Sequence, residues 1–258
     1  MSQDKHYGYL GKGDDDFVIH QKDGQIMTGY PIGIMLLNVK YPIVPGNVAN
    51  AYTFDFPVRY AKVTTVDSPR LHSGDPTIAD DLIAVGKELE SDGVRAIICS
   101  CGYFGYYQKQ LTEGLNVPVY ASSLLQIPFI KVGLKKDQKI AVLNAVERRF
   151  TPELLKICGV DDPSIVIPHS MEFAEEFSAI PRDRPYMNNA KVRQEFVAAT
   201  TKLVKDHPEI GAILLECSDM PPYADAVQNA TNLPVYDFTT MIRWVYNAVA
   251  RKPMYGFM

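Results

Sequence analysis

A chain of 258 residues, 47% hydrophobic and 22% charged, is long enough to bury a large core, as one α/β domain or two smaller ones. A net charge of −4 without a Lys/Arg-dense run leaves no electrostatic footprint for a phosphate backbone or an anionic bilayer, which argues against nucleic acid and membrane partners. Apolar runs such as residues 32–37 and 212–215 fall far short of the roughly 20 residues a membrane span needs.

Residues 1–28 are polar and acidic, lack the apolar stretch of a secretory signal and read as a leader. The expected location is the cytoplasm, with reduced thiols. Within this leader, Gly11-Lys12-Gly13-Asp14-Asp15-Asp16 has neither the preceding strand nor the spacing of a phosphate loop. From Gly29 onward, short β-type apolar runs alternate with amphipathic helical stretches, the pattern of βαβ units around a mostly parallel sheet, so the fold class is α/β. Strands are expected over 32–37, 58–64, 96–100, 118–121, 140–144, 164–168, 213–217 and 234–237. Helices are expected over 76–92, 104–115, 151–158, 188–207, 222–230 and 239–250. Thr151-Pro152-Glu153 opens one of them, with Thr151 as N-cap and proline at the first helical position.

The strongest organisational signal is internal. Ala96-Ile97-Ile98 through Cys101 recurs as Ala212-Ile213-Leu214 through Cys217, a shift of 116 residues, and Asn116-Val117-Pro118-Val119-Tyr120 recurs at the same shift as Asn232-Leu233-Pro234-Val235-Tyr236. The next pair, Ser122-Ser123, aligns with Phe238-Thr239 and so keeps one hydroxyl. A duplicated strand, turn, helix, strand unit places a boundary near residue 130. It predicts a first domain over 29–130, completed by a C-terminal helix within 238–258, and a second over 131–237.

Ligands of open parallel sheets bind beyond the carboxyl ends of the strands, and Cys101 and Cys217 both fall there. A thiol at a helix N-terminus meets a positive dipole end that favours the thiolate, so both cysteines become candidate bases. Gly102 permits a tight turn and close backbone approach to a ligand. Free N–H groups and the hydroxyls of Ser122, Ser123, Ser218 and Thr239 are candidates to hold a small substrate's carboxylate, without an arginine. Asp219 follows Cys217 and Ser218 in the same turn. Cys99 aligns with Leu215 inside a strand and Cys158 has no counterpart, so both read as core. The five histidines show no HxxxH spacing. His6, His20, His72 and His207 read as solvated, while His169 follows a strand and is a candidate to reach the cleft. Arg59 and Asp55 read either as an ion pair or as lining of the entrance. Two thiols across a cleft suit proton transfer at a carbon next to a carboxylate, with no metal or organic cofactor required.

The segments Ala-Ile-Ile-Cys-Ser-Cys-Gly-Tyr at 96–103 and Leu-Leu-Glu-Cys-Ser-Asp-Met-Pro-Pro-Tyr at 214–223 resemble the aspartate/glutamate/hydantoin racemase superfamily. Pro45-Gly46-Asn47, residues 52–60, Ser122-Ser123-Leu124-Leu125-Gln126 and Pro221-Pro222-Tyr223 are most similar to its branch of Alma-type dimethylsulfoniopropionate lyases. The resemblance implies two similar parallel-sheet domains related by a pseudo-twofold, an active site in the cleft between them and catalytic cysteines at Cys101 and Cys217. It also makes a homo-oligomer plausible. Asn38 ends the first strand where amino-acid racemases of the superfamily often carry an acid that engages the substrate amine, and its neutrality weakens that reading. Tyr41, Tyr52, Tyr60, Tyr103, Phe104, Tyr106 and Tyr107 offer ring faces to a cationic sulfonium. The expected function is therefore a lyase that forms acrylate and dimethyl sulfide. The alternatives are an amino-acid or hydantoin racemase using both cysteines, and a carboxylate-binding protein without catalysis.

Overall fold

The computed structural model of the chain describes residues 4–5, 8–10, 18–21 and 23–258. His6 and the acidic run at 11–16 lie outside the described residues. Within the expected leader, β1 (Asp4–Lys5) and β2 (Val18–Ile19) pair in parallel.

Two four-stranded sheets, parallel throughout, carry the remainder. The first contains β3 (Ile32–Leu37), β4 (Val58–Val63), β5 (Ala96–Cys99) and β6 (Val119–Tyr120), in the order β4-β3-β5-β6. The second contains β7 (Lys139–Asn144), β8 (Val166–Ser170), β9 (Ile210–Leu215) and β10 (Val235–Tyr236), in the order β10-β9-β7-β8. Both sheets thus run second, first, third, fourth strand. Every residue of β5 and β9 is buried, the condition of central parallel strands covered on both faces, and it explains why they read as unbroken apolar runs.

Eight α-helices surround the sheets: α1 (Ser68–His72), α2 (Ala79–Ser91), α3 (Gln108–Gly114), α4 (Ile127–Val132), α5 (Pro152–Ile157), α6 (Asn189–Asp206), α7 (Ala224–Thr231) and α8 (Phe238–Val249), counted among the described residues. Three of the expected helices begin as 3₁₀ turns: Pro76–Ile78 before α2 and, at matching places in the two halves, Gly102–Tyr107 before α3 and Pro221–Tyr223 before α7. The duplication runs through the latter two, since Tyr107 and Tyr223, each buried and each the N-cap of the following helix, are also 116 residues apart. Helices α1 and α4 are absent from the sequence-based expectation because five or six residues are too few to display a period. A proline in the first turn marks each of them.

The connection between halves is reciprocal. α4 closes the first half and packs against β7 of the second sheet. α8 closes the second half and packs Phe238, Met241, Ile242 and Val245 onto Ile32, Ile34, Ala96 and Ile98 of the first. The spacing of those four positions is one helical stripe, and each such side chain contributes roughly 1.5–3 kcal/mol when fully buried. A capping box between Asp237 and Thr240 starts α8 where the strand ends. Arg243 pairs with Asp55 at 2.7 Å, and Phe56 stacks on Tyr246 with ring centroids 3.8 Å apart. Arg59 pairs with Asp92 at 2.6 Å, so Asp55 and Arg59 belong to two separate ion pairs. Among the described residues no helix is long and apolar enough to cross a membrane.

Candidate active site

The turns after β5 and β9 are built alike. Ser100 N–H donates to Met35 O at 2.9 Å and Glu216 N–H donates to Leu143 O at 2.9 Å, extending each strand by one bond. The side chains then return the favour to the neighbouring strand. Leu37 N–H donates to Ser100 Oγ at 3.3 Å, and Ala145 N–H donates to Glu216 Oε2 at 3.3 Å. The two turns also lock onto each other, with Ser218 Oγ donating to Ser100 O at 2.5 Å and the Glu216 carboxyl resting on Gly102. A Cβ at position 102 would lie 1.8 Å from Glu216 Oε1. Gly102, expected to admit a ligand, instead admits a carboxyl from the other half of the chain.

A cavity of about 570 Å³ opens beside these turns and is walled by both halves. The first half supplies Asn38, Tyr41, His72, Cys101 and Tyr103; the second supplies Val146, Arg182, Cys217 and Asp219. Cys101 Sγ lies 3.6 Å from His72 Nε2. Burial, followed by the nearby Arg149 charge, pushes His72 down to about 4, so near neutral pH its ring is uncharged and can accept the thiol hydrogen. Tyr103 packs its ring 4.8 Å from that of His72, and its hydroxyl donates to Val146 O at 3.0 Å while accepting Val146 N–H at 2.9 Å.

Cys217 has a different partner. Its Sγ donates to Asp219 Oδ2 at 3.3 Å, which also accepts from the Tyr41 hydroxyl at 2.9 Å, while Asn47 Nδ2 donates to Asp219 Oδ1. Burial raises Asp219 to about 6 even though these donors oppose the shift. Asn47 is brought there by Gly46, whose φ of +100° favours glycine and whose Cβ position lies 2.9 Å from Pro222 Cα. The Pro45-Gly46-Asn47 and Pro221-Pro222-Tyr223 segments therefore meet around Asp219.

The thiols themselves depart from the expected thiolate. Burial first, then the Glu216 carboxyl, pushes Cys101 well above the usual thiol range; burial and Asp219 do the same for Cys217. A single 3₁₀ turn's N–H groups do not offset the loss of solvation, although Tyr103 N–H partly stabilises charge on Cys101. Cys99 is fully buried in the core, and burial also pushes Cys158 up to about 12.

Other expected contacts fall elsewhere. Ser122 caps the turn into α4 through Leu124 N–H, Ser123 Oγ donates to Glu216 O at 2.8 Å, and Thr239 Oγ1 donates to Asp237 Oδ1 at 2.7 Å. Tyr106 binds Arg149 O and Thr151, Tyr107 donates to Asp75 O, Tyr60 donates to Val48 O, and Tyr52 is 93% exposed. Of the tyrosines named, Tyr41 and Tyr103 line the cavity. His169 sits half-buried on β8 opposite Leu143. Neither it nor Ser122, Ser123, Ser218, Gly102 or Tyr106 is among the residues lining the large cavity. His72, read as solvated, does line it.

Sequence reasoning passed over His72, Asn47 and Glu216. His72 rides on α1, whose one visible mark is the Asp67-Ser68-Pro69 start, with the Asp67 side chain accepting from Arg70 N–H. Glu216 announced itself as a charge inside a buried apolar strand run. The Cys101–His72 contact carries an expected outcome. His72→Gln should slow alkylation of Cys101 by iodoacetamide at pH 7 on the order of tenfold. Alkylation of Cys217, followed in the same digest by mass spectrometry, should be unchanged. His72 is also a pH marker: with its folded value below its unfolded one, the stability it contributes is full above about 6.5 and is lost as pH falls through about 4.

Solved structures with this fold place it in a class. Arylmalonate decarboxylase superposes with a TM-score of 0.56 at 12% identity, covering 87% of this chain and 94% of that one. Glutamate racemase from Bacillus anthracis gives 0.53 at 15%, covering 86% and 85%, and allantoin racemase from Pseudomonas fluorescens gives 0.53 at 16%, covering 88% and 100%. The fold is the one these decarboxylase and racemase structures share. No protein-family model matches the chain. A dimethylsulfoniopropionate lyase from Durusdinium sp. clade D is 30% identical over 232 residues, covering 87% of this chain and 77% of its own length. The chain belongs to this lyase family. Dimethylsulfoniopropionate lyase 7 of Emiliania huxleyi is 30% identical over 244 residues, covering 90% and 71%, whereas the chain spans 61% of the length of lyase 6 from the same organism.

Proposed function

We propose that the chain is a dimethylsulfoniopropionate lyase in which Cys101, with His72 as its hydrogen-bond partner and with its thiolate stabilised once the cationic substrate is bound, abstracts the proton α to the substrate carboxylate. The observation that carries this reading is the asymmetry of the two thiols on one cavity: Cys101 faces a neutral imidazole, Cys217 faces an acid. Elimination needs one base only. As the thiolate takes the α-proton, the C–H pair becomes the new double bond, the β-carbon–sulfur bond breaks, and its electrons leave with neutral dimethyl sulfide. The products are acrylate and a proton held on the thiol.

A zwitterionic substrate suits the cavity's charges. Asp219, largely ionised above about pH 6, and the faces of Tyr41 and Tyr103 favour the sulfonium. Lys40 and Arg182, also in the lining, favour the carboxylate, so an arginine enters the binding set. The sulfonium also supplies positive charge close to Cys101, which lowers the cost of forming a buried thiolate.

Headspace gas chromatography of the purified protein with dimethylsulfoniopropionate should detect dimethyl sulfide, with acrylate in equal amount. A racemase reading retains support from the pair of thiols on one cavity. Absence of dimethyl sulfide, together with deuterium exchange at the α-carbon of an amino acid, would establish it instead.

A further inference from the structure

Glu216 is a fully buried carboxyl that the elimination does not use. Its position 116 residues from Ser100 makes the two residues counterparts, and both accept an N–H from the neighbouring strand with a side-chain oxygen. Ser100 does this with a short neutral hydroxyl. A carboxyl is therefore not required for that bond. What the longer side chain adds is its second oxygen, Oε1, which crosses to the opposite turn, rests on Gly102 and has no hydrogen-bond partner. A buried carboxylate without a donor is strongly disfavoured, whereas the neutral acid is tolerated.

We propose that Glu216 is a positioning residue that separates the two cysteine turns as a neutral acid, and that a negative charge on it holds Cys101 and Cys217 in the thiol form. The groups that face it are Cys217 and Asp219 from its own turn, Cys101 and Tyr103 from the turn after β5, and Cys158 from the end of α5. All five are acids, so a charge on Glu216 opposes ionisation of each. Burial, reinforced by Asp219 and opposed by Ala145 N–H, raises Glu216 to about 8. The neutral form thus prevails at pH 7 and gives way on the alkaline side. The consequence is a brake: rising pH favours the thiolates directly and disfavours them through Glu216.

The inference rests on the reading that Cys101 works as a thiolate, but its test does not use the lyase reaction. Iodoacetamide alkylation of Cys101, mapped by mass spectrometry, is compared between the natural protein and Glu216→Gln from pH 6 to 9.5. The rates should agree at pH 6, and the variant should be faster by roughly tenfold at pH 9. A rate ratio independent of pH overturns the proposal, because a packing role alone predicts no pH dependence. Should the glutamine variant fail to fold, Glu216→Ser copies the arrangement already present at Ser100 and is read the same way. Urea unfolding gives a second readout. A folded value above the unfolded one means the natural protein loses stability relative to the variant as pH rises from about 4.5 to about 8. A constant difference across that window also overturns the proposal. Loss of dimethyl sulfide release with the alkylation pattern intact would instead indict the assigned reaction.

Discussion

Cys101→Ala is expected to reduce dimethyl sulfide release by about 10³- to 10⁴-fold, the upper range for removing a general base. Cys217→Ala is expected to cost only on the order of tenfold. The difference follows from their partners. Cys101 has His72 as its hydrogen-bond partner at 3.6 Å, whereas Cys217 donates to Asp219 and would have to ionise beside a carboxylate. In an elimination the second thiol is one of the donors around Asp219, and Tyr41 and Asn47 remain when it is removed. Both variants should keep the circular dichroism of the natural protein, and Cys101→Ala should still bind substrate in a calorimeter. Equal, large losses from the two replacements would point to paired acid and base, as racemisation requires. Unchanged affinity in a protein that never shows turnover would support a binding module.

What could be read in advance was whatever depended on repeated local chemistry. β5 and β9 are apolar at every position because both faces are covered, and the Asn-X-Pro-Val-Tyr strands β6 and β10 follow at the same interval. That interval isolates Cys101 from Cys99 without any structural information. Asp219 was visible too, as the acid in the turn after Cys217. The partners were not, because they arrive from distant elements. His72 comes from a five-residue helix, and Asn47 from a loop held by a left-handed glycine. The hydroxyls at 122, 123 and 218 looked available because a sequence shows which groups can donate, not which are already spent on caps and crossing bonds. The ionisation of the thiols is not legible locally for a related reason. Proximity to a helix start is local, but desolvation is set by the whole packed surround, and desolvation is the larger effect.

Gly102→Ala is the second large expected effect, and its cause is steric rather than conformational, since Gly102 is not among the positive-φ glycines. The new Cβ would lie 1.8 Å from Glu216 Oε1, 2.5 Å from Cδ and 2.8 Å from Cγ, so no small rotation of the carboxyl relieves the contact. Glu216 has little room to withdraw, being fully buried and holding Ala145 N–H through its other oxygen. By contrast, a Cβ at Gly33 would meet the ends of Leu89 and Val94 at 3.2 Å, a crowding that flexible apolar tips can absorb. Overpacking of the severe kind costs about 1–3 kcal/mol or more, and here the strain would also shift the turn that sets Cys101 against His72. Urea unfolding should show the stability loss, and turnover should fall in the protein that remains folded. If the clash is the cause, Gly102→Ala combined with Glu216→Ser should recover most of the stability, because the second change removes Oε1 and Cδ, the two atoms the first one strikes hardest. Independent sites would add instead. Additive losses in that double variant would mean that Gly102 is needed for something other than the carboxyl lying over it.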